Sequence, residues 1–519
     1  MLKPNYYTEP TELDQLIFEK LVPAGHYLRK VKTAIDFERL REQVRACYDD
    51  QMGRQAEDPV RMIKLEYLEI HYELSDREVI AETQVNVAFR FFLELSLESQ
   101  LPVPSLLSQF RTRLGADRHE AILNDLVAQA RAFGLVKDRL RLKDATHIIA
   151  NIAVPSTIQL VAQIRERLLD SACPYAPQHV IEEAATAAQI RQASADLSDT
   201  ERLVQRVNHL RQVVLWADEL QTTLGASSQP PEPTRQRFDE ALALAHQVLA
   251  DRDESKAKDQ VRSLVDPEAR RNKHGAWYDG YLLDMSLDAD SELITAVNVL
   301  AANADEAADA HPLIVAEEQA QGNDVQAISL DGAGFRGAVL RDLSAASGLA
   351  LDVYVPPSEP TRASDYFSPA DFQLEAEGTI LRCPAAQAAV RPYRHTSGTG
   401  WVFEFTRQQC EDCPLLKRCL AKLPKRHGRS VVKNDYEAEY AAARAKAQTP
   451  AYKAVRQQHP RIERKWAEMV RRHDMRHARY RGRLRVKIQA LLTAVVVNIK
   501  RIVHLLTDTP RDESALAPG

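Results

Sequence analysis

The run "DRLRLKDATHII" (residues 138–149) alternates with a period of two, so Leu140, Leu142, Asp144, Thr146 and Ile148 share one face of an extended strand. Such a strand must join a sheet with a buried face, in a chain whose flanking segments carry helical spacing. It also sets a carboxylate where an apolar side chain belongs. Burial of Asp144 is costly unless a metal ion, a basic partner or the open end of the strand receives it.

The segments before this strand, roughly the first 135 residues, read as helical. "DPVRMIKLEYLEIHYELSDREVIAETQVNVAFRFFLEL" has helical spacing with Ser75 as the expected N-cap, the outline of a helix-turn-helix. "VPSLLSQFRTRLGADRHEAILNDLVAQARAFGL" adds helices and a basic cluster at Arg111 and Arg113. Beyond the strand, residues 160–265 are helical again, broken by the turn-rich "LGASSQPPEPTRQ". "YDGYLLDMSLDADSELITAVNVL" predicts a hairpin about "DADS", with a helix to follow around 305–320. "DVQAISLDGAGFRGAVLRDL" predicts a short buried strand ending in Asp331, a glycine-rich turn and a helix. A carboxylate at the C-terminal end of such a strand stands where open α/β sheets place their ligands. "YVPPSEP" closes another strand near 351–355, and two helices finish the chain.

Charge is unevenly distributed. The formal net charge is -5, yet residues 461–487, "RIERKWAEMVRRHDMRHARYRGRLRVK", hold eleven Lys or Arg against Glu463, Glu468 and Asp474. That patch attracts a polyanion, and its plainer reading is a solvated helix face. The apolar stretch "IQALLTAVVVNIKRIVHLL" is interrupted by Gln489, Asn498, Lys500, Arg501 and His504, which suits a buried helix better than a membrane span. The first thirty residues hold no long apolar segment of a secretory signal, and the six cysteines are expected to be reduced. A cytoplasmic protein without membrane contact is the expectation. No Walker A motif, Rossmann fingerprint or serine elbow occurs.

Asp144, Asp331 and Glu463 are the candidate catalytic residues and metal ligands, because carboxylates converging from separate elements can hold Mg2+ or Mn2+. Two such ions together can drive phosphodiester transfer. On a helix, Glu463 lies about 20° from Val470 and about 60° from Trp466, on the apolar side, whereas Glu468 lies about 140° away. A salt-bridged surface glutamate is the alternative for each.

"LRLKDATHIIA", "SLDGAGFRG" and the stretch from "RIERKWAEMV" to "NIKRI" together resemble the DDE transposases of bacterial insertion sequences, in particular the IS1182 group. The segment from "PVRMIKLEYL" to "SQFRTRL" resembles the helical N-terminal domain common in that group. The resemblance implies an α/β fold with an RNase H-like catalytic core, a mixed sheet flanked by helices, in which Asp144, Asp331 and Glu463 form the metal-binding triad. It departs from the common pattern at Asp331-Gly332-Ala333-Gly334-Phe335, where relatives often carry a basic residue, glycine and tyrosine after the aspartate. The expected organisation is a helical DNA-binding domain (1–135), the first part of the core (136–160), a helical insertion (161–265) and the second part of the core (266–355). A cysteine-rich insertion (356–445) and core-completing helices (446–510) follow. Arg464, Lys465, Arg471, Arg472, Arg476, Arg479, Arg481 and Arg483 are the expected contacts to DNA phosphates.

Cys383, Cys410, Cys413 and Cys419 can supply four thiolates to a structural Zn2+, the alternative being buried or reactive thiols. His147 faces opposite to Asp144 in strand phase and is read as structural. His473, Asp474 and His477 are read as lying near the DNA groove, and Trp466 as a core residue in preference to a base-stacking one. The resulting expectation is an enzyme, at least dimeric on double-stranded DNA, that binds terminal inverted repeats, cleaves at the transposon ends and joins the 3′-hydroxyl to target DNA. A nuclease without strand transfer and a non-catalytic DNA-binding descendant are the competing readings.

Overall fold

A computed structural model describes residues 10–49, 52–53, 55–225, 233–253, 259–358, 366–375 and 380–508. Among the described residues, seven helices come first: α1 (Glu12–Leu21), α2 (Tyr27–Ala34), α3 (Leu40–Arg45), α4 (Pro59–His71), α5 (Asp76–Val85), α6 (Val87–Phe92) and α7 (Ser105–Ala132). Their starts follow local chemistry. Asp58 caps α4 ahead of Pro59, and Ser75 with Glu78 forms the capping box that opens α5. Strand β1 (Arg141–Ile149) follows, then the helical segment α8 (Thr157–Ala172), α9 (Pro177–Ala193), α10 (Asp199–Gly225) and α11 (Pro233–Asp253). That segment encloses its own apolar core, built on Leu168, Leu210, Phe238 and Ala245. Much of the "LGASSQPPEPTRQ" break lies outside the described residues.

The sheet resumes with β2 (Arg270–His274), β3 (Ala276–Asp288) and β4 (Ile294–Ala301), then α12 (Ala310–Gln321), β5 (Ala327–Ser329), α13 (Gly337–Ser344) and β6 (Asp352–Tyr354). It has six strands. β1 is antiparallel to β3, with Asp144 opposite Met285, and parallel to β5, with Leu142 beside Ser329. β4 pairs with β3 antiparallel, β2 pairs with the first residues of β3, and β6 continues parallel beyond β5. The sheet is therefore mixed, antiparallel on one side of β1 and parallel on the other.

A cysteine-bearing segment follows, with β7 (Gln373–Leu374), β8 (Leu381–Arg382), β9 (Arg391–Arg394), β10 (Trp401–Glu404), α14 (Arg407–Glu411), α15 (Leu416–Cys419) and β11 (Ser430–Lys433). The chain then runs through α16 (Glu437–Ala447), α17 (Pro450–Gln458), α18 (Pro460–His473) and α19 (Arg483–Asp508). α19 is long and apolar enough to cross a membrane, but 67% of its apolar window is buried inside the protein, where it packs on α2, α4, α7 and β4. Its polar interruptions have specific partners. Buried Asn498 bonds both the N–H (2.8 Å) and the C=O (2.7 Å) of Ile294, and buried Gln489 joins the backbone of His477 and Arg479. The N-terminal helices, the sheet and α19 thus share one apolar core.

One face of β1 follows the predicted alternation. The other does not point to solvent, as simple alternation would have it. Arg141 is fully buried, with its guanidinium among Asp138, Asp288 (2.8 Å) and Glu317 (2.8 Å), and Lys143 is buried against Asp284 at 2.9 Å. α12 covers this face, and the cations satisfy carboxylates that burial would otherwise strand. Burial still pushes the Asp284 carboxyl well above its ordinary range, against the pull of Lys143.

Candidate active site

Asp144 lies on the β1 face that α18 covers. Leu142 of β1 pairs with Ser329, the last residue of β5, and Asp331 follows two residues past that strand's end, near enough to Asp144 for its charge to raise the Asp144 carboxyl. Past β5 the chain turns at once: the Asp331 carboxylate accepts the Ala333 N–H at 3.1 Å and holds the Gly332–Gly334 turn. The glycine-rich run after Asp331 therefore makes a tight exit that leaves the carboxylate at the strand end.

The last helices are pinned over these strands. The Arg456 guanidinium on α17 donates to the Leu330 carbonyl (2.7 Å) and the Ser329 hydroxyl (3.2 Å), and His459 contacts the same hydroxyl at 3.1 Å. Two turns on, Trp466 is buried, and its indole Nε1 donates to Asp144 Oδ2 at 3.2 Å. This agrees with the core reading of Trp466 and adds an orienting bond to a candidate ligand. Glu463 falls between His459 and Trp466 in the chain but is turned about 40° and 60° to one side of them around the helix. It is exposed at the margin of the buried face. Glu468, the alternative glutamate, is bound between Lys465 (3.3 Å) and Lys500 (2.8 Å).

Burial, with the negative charges of Asp331 and Glu306 adding to it, raises the Asp144 carboxyl to about 6 against the counteracting Ala145 N–H and Lys143. Glu306 is raised in turn by burial and by Asp331. Its backbone carbonyl accepts from Lys143 Nζ. Sequence reasoning missed Glu306, because an acid inside "ANADEAADAHP" has no periodicity to separate it from a surface residue. The mutual repulsion at Asp144, Asp331 and Glu306 suits a bound cation. Among the described residues, however, no three His, Cys, Asp or Glu side chains stand close enough to hold one metal ion as they are.

The basic segment divides into two groups. Arg464, Arg471, Arg472, Arg481 and Arg483 are exposed. The other three predicted phosphate contacts are turned to the protein itself. Lys465 is buried against Glu468, Arg476 donates to Thr146 and the His147 carbonyl, and Arg479 faces Glu69 at 3.6 Å. His473 is likewise buried, its Nδ1 against the Ile70 carbonyl at 3.1 Å, so it clamps α18 to α4 and does not line an open groove. Arg111 is buried in ion pairs with Glu69 and Asp76 and belongs to the fold. His147 is structural, its ring 4.9 Å from those of His274 and Tyr278.

Cys383, Cys410, Cys413 and Cys419 are free thiols lining one small cavity with Phe372, Phe405, Leu416 and Arg429. The Arg429 N–H points at Cys410 Sγ (3.3 Å), and a Cβ on Gly428 would meet that sulfur at 2.5 Å, so the loop must carry glycine there. Burial pushes the Cys410 and Cys419 thiols up, and the neighbouring cysteines add to it. A chain distance of 36 residues separates Cys383 from Cys419, and only the small β8 and β9–β11 sheets bring them to one cavity.

Asp144 on β1 and Asp331 past the end of β5 thus lie near one another, and the neighbouring α18 carries exposed cations. Residues 16–113 match the family model described as Transposase domain (DUF772), and residues 382–503 match the Transposase DDE domain. Together the two matches indicate an insertion-sequence DDE transposase, a family that binds and processes DNA. Glu463, the four clustered cysteines and the basic segment lie inside the second match, while Asp144 and Asp331 lie outside both. No curated protein and no solved structure matches the chain.

Proposed function

We propose that the protein, a transposase similar to the IS1182 group, cleaves DNA at transposon ends and joins the freed 3′-hydroxyl to target DNA, with Asp144, Asp331 and Glu463 as its metal-binding triad. The observation that carries this reading is the nearness of Asp331, just past the end of β5, to Asp144 on β1, whose carboxylate is bonded by Trp466 of α18. The mixed sheet, antiparallel on one side of β1 and parallel on the other, supports an RNase H-like core. Mg2+ or Mn2+, in a pair, would supply activation of the attacking oxygen and stabilisation of the leaving one. Asp144 and Asp331 would hold the ions from the sheet and Glu463 from the helix margin. Trp466 fixes the orientation of Asp144, and Arg464, Arg471, Arg472, Arg481 and Arg483 hold DNA phosphates in register without reading sequence. The N-terminal helices recognise the terminal repeats, and pairing of two ends requires at least a dimer on DNA. The four cysteines would hold a structural Zn2+, which would fix the segment between β7 and β11.

The test is a strand-transfer assay with labelled end DNA and Mg2+ or Mn2+. Cleavage with joining supports the proposal. Cleavage alone indicates a nuclease, and binding alone a non-catalytic descendant. Asp331→Ala should abolish cleavage and leave end binding within a few-fold; retained cleavage would remove Asp331 from the site.

A further inference from the structure

The hairpin of β2 and β3 has two unlike faces. Gly275 (φ 69°) turns the chain, and Lys273 pairs across it with Trp277, and Arg271 with Asp279. The inner face is fastened down. Asn272 donates to the Ala302 carbonyl, and His274 and Tyr278 lie against the ring of His147, three residues past Asp144 on β1. At its base, Gly280 allows an approach to the Ile148 carbonyl that any Cβ would block, lying 1.9 Å from that oxygen. The outer face is open. Trp277 is 64% exposed, with Lys273 exposed beside it and the Arg271 guanidinium 5.8 Å from its ring centre and 3.7 Å from Asp279, whose charge is also met by Arg262 at 2.9 Å.

The same end of β1 carries the basic loop between α18 and α19. Arg476 donates to the His147 carbonyl, the Ala478 N–H to the Ile149 carbonyl and Arg481 to the Asn151 carbonyl. The hairpin and this loop therefore flank one strand end, and the outer cations of the hairpin extend the exposed basic surface. A large aromatic ring exposed to solvent, with a guanidinium near its face and a lysine on the neighbouring strand, suits a nucleic acid base whose face is free. Duplex interiors offer no such face, whereas unpaired nucleotides do.

We infer that the outer face of this hairpin is a stacking platform for an unpaired nucleotide at a DNA end, with Trp277 taking the base and Arg271 and Lys273 the adjoining phosphates. This rests on the reading that the chain processes DNA ends and assigns to Trp277 the stacking role that buried Trp466 cannot fill.

The full-length protein is titrated with fluorescent duplex DNA that is blunt or carries a short single-stranded overhang with 2-aminopurine. Wild type should favour the overhang by about tenfold and quench the 2-aminopurine. Trp277→Ala should lose both the preference and the quenching while binding blunt duplex as wild type does. Trp277→Phe should keep most of each. Arg271→Ala with Lys273→Ala should weaken overhang binding and flatten its salt dependence. Absence of overhang preference in wild type, or its survival in Trp277→Ala, overturns the platform. Overhang preference in a protein that never cleaves DNA would uphold the platform and overturn the cleavage reading.

Discussion

Asp144→Asn should make the protein more stable and inactive at once. The Asp144 carboxyl is raised to about 6 from an ordinary 3.8, chiefly by burial and further by Asp331 and Glu306. In the unfolded chain those influences vanish. A carboxyl whose folded pKa is raised gives its full contribution to stability below the unfolded value and loses it as pH climbs through the folded value. Two pKa units correspond to about 3 kcal/mol, so ionised Asp144 costs the metal-free fold up to about that much above pH 6. Asparagine has nearly the same shape, stays neutral and can still accept the Trp466 N–H, which is 3.2 Å from Oδ2. The variant should therefore exceed wild type by about 1–3 kcal/mol at neutral pH in the absence of divalent ions, allowing for relaxation. The advantage should shrink toward zero near pH 4. Paired denaturation curves in EDTA across this range give the difference directly, and other titrating groups cancel. Mg2+ should stabilise wild type and leave the variant nearly unchanged. A variant no more stable than wild type at neutral pH, or an equal response to Mg2+, would refute the claim that Asp144 is a strained ligand carboxylate.

Three further outcomes follow from other parts of the molecule. Elemental analysis of the purified protein should find about one zinc per chain, and Cys413→Ser should release it and expose the β9–β11 segment to protease. Arg471→Ala with Arg472→Ala should weaken binding to all duplexes alike and reduce the slope of log affinity against log salt by about 2; an unchanged slope would exclude both from phosphate contact. Asn498→Leu should destabilise by about 2–4 kcal/mol in urea denaturation, because the buried N–H and C=O of Ile294 both lose their partner.

Much of the architecture was legible in local chemistry. The period-two run at 138–149, the "DADS" hairpin and the Ser75 cap each became the element that their residues required, since alternation and capping act within a few residues. The polar interruptions of α19 correctly separated a core helix from a membrane span. Asp144 could be nominated because it is a carboxylate at an apolar position of a strand, and Asp331 because it is a carboxylate at the C-terminal end of a short buried strand. Charge alone was a poorer guide. Lys465, Arg476 and Arg479 look like any other members of a basic run, yet each meets an acceptor supplied by the fold, Glu468, the His147 carbonyl and Glu69. Glu306 joins Asp144 and Asp331 through tertiary contact, Lys143 of β1 donating to the Glu306 backbone carbonyl.

What the residues decided by themselves is therefore the set of elements and the acids that do not fit them, because hydrophobic periodicity and caps depend on near neighbours. Which cations remain free for DNA, which acids repel one another, and which tryptophan faces solvent were decided by tertiary packing. Each of these depends on a partner brought from far along the chain, and local sequence carries no record of that distance.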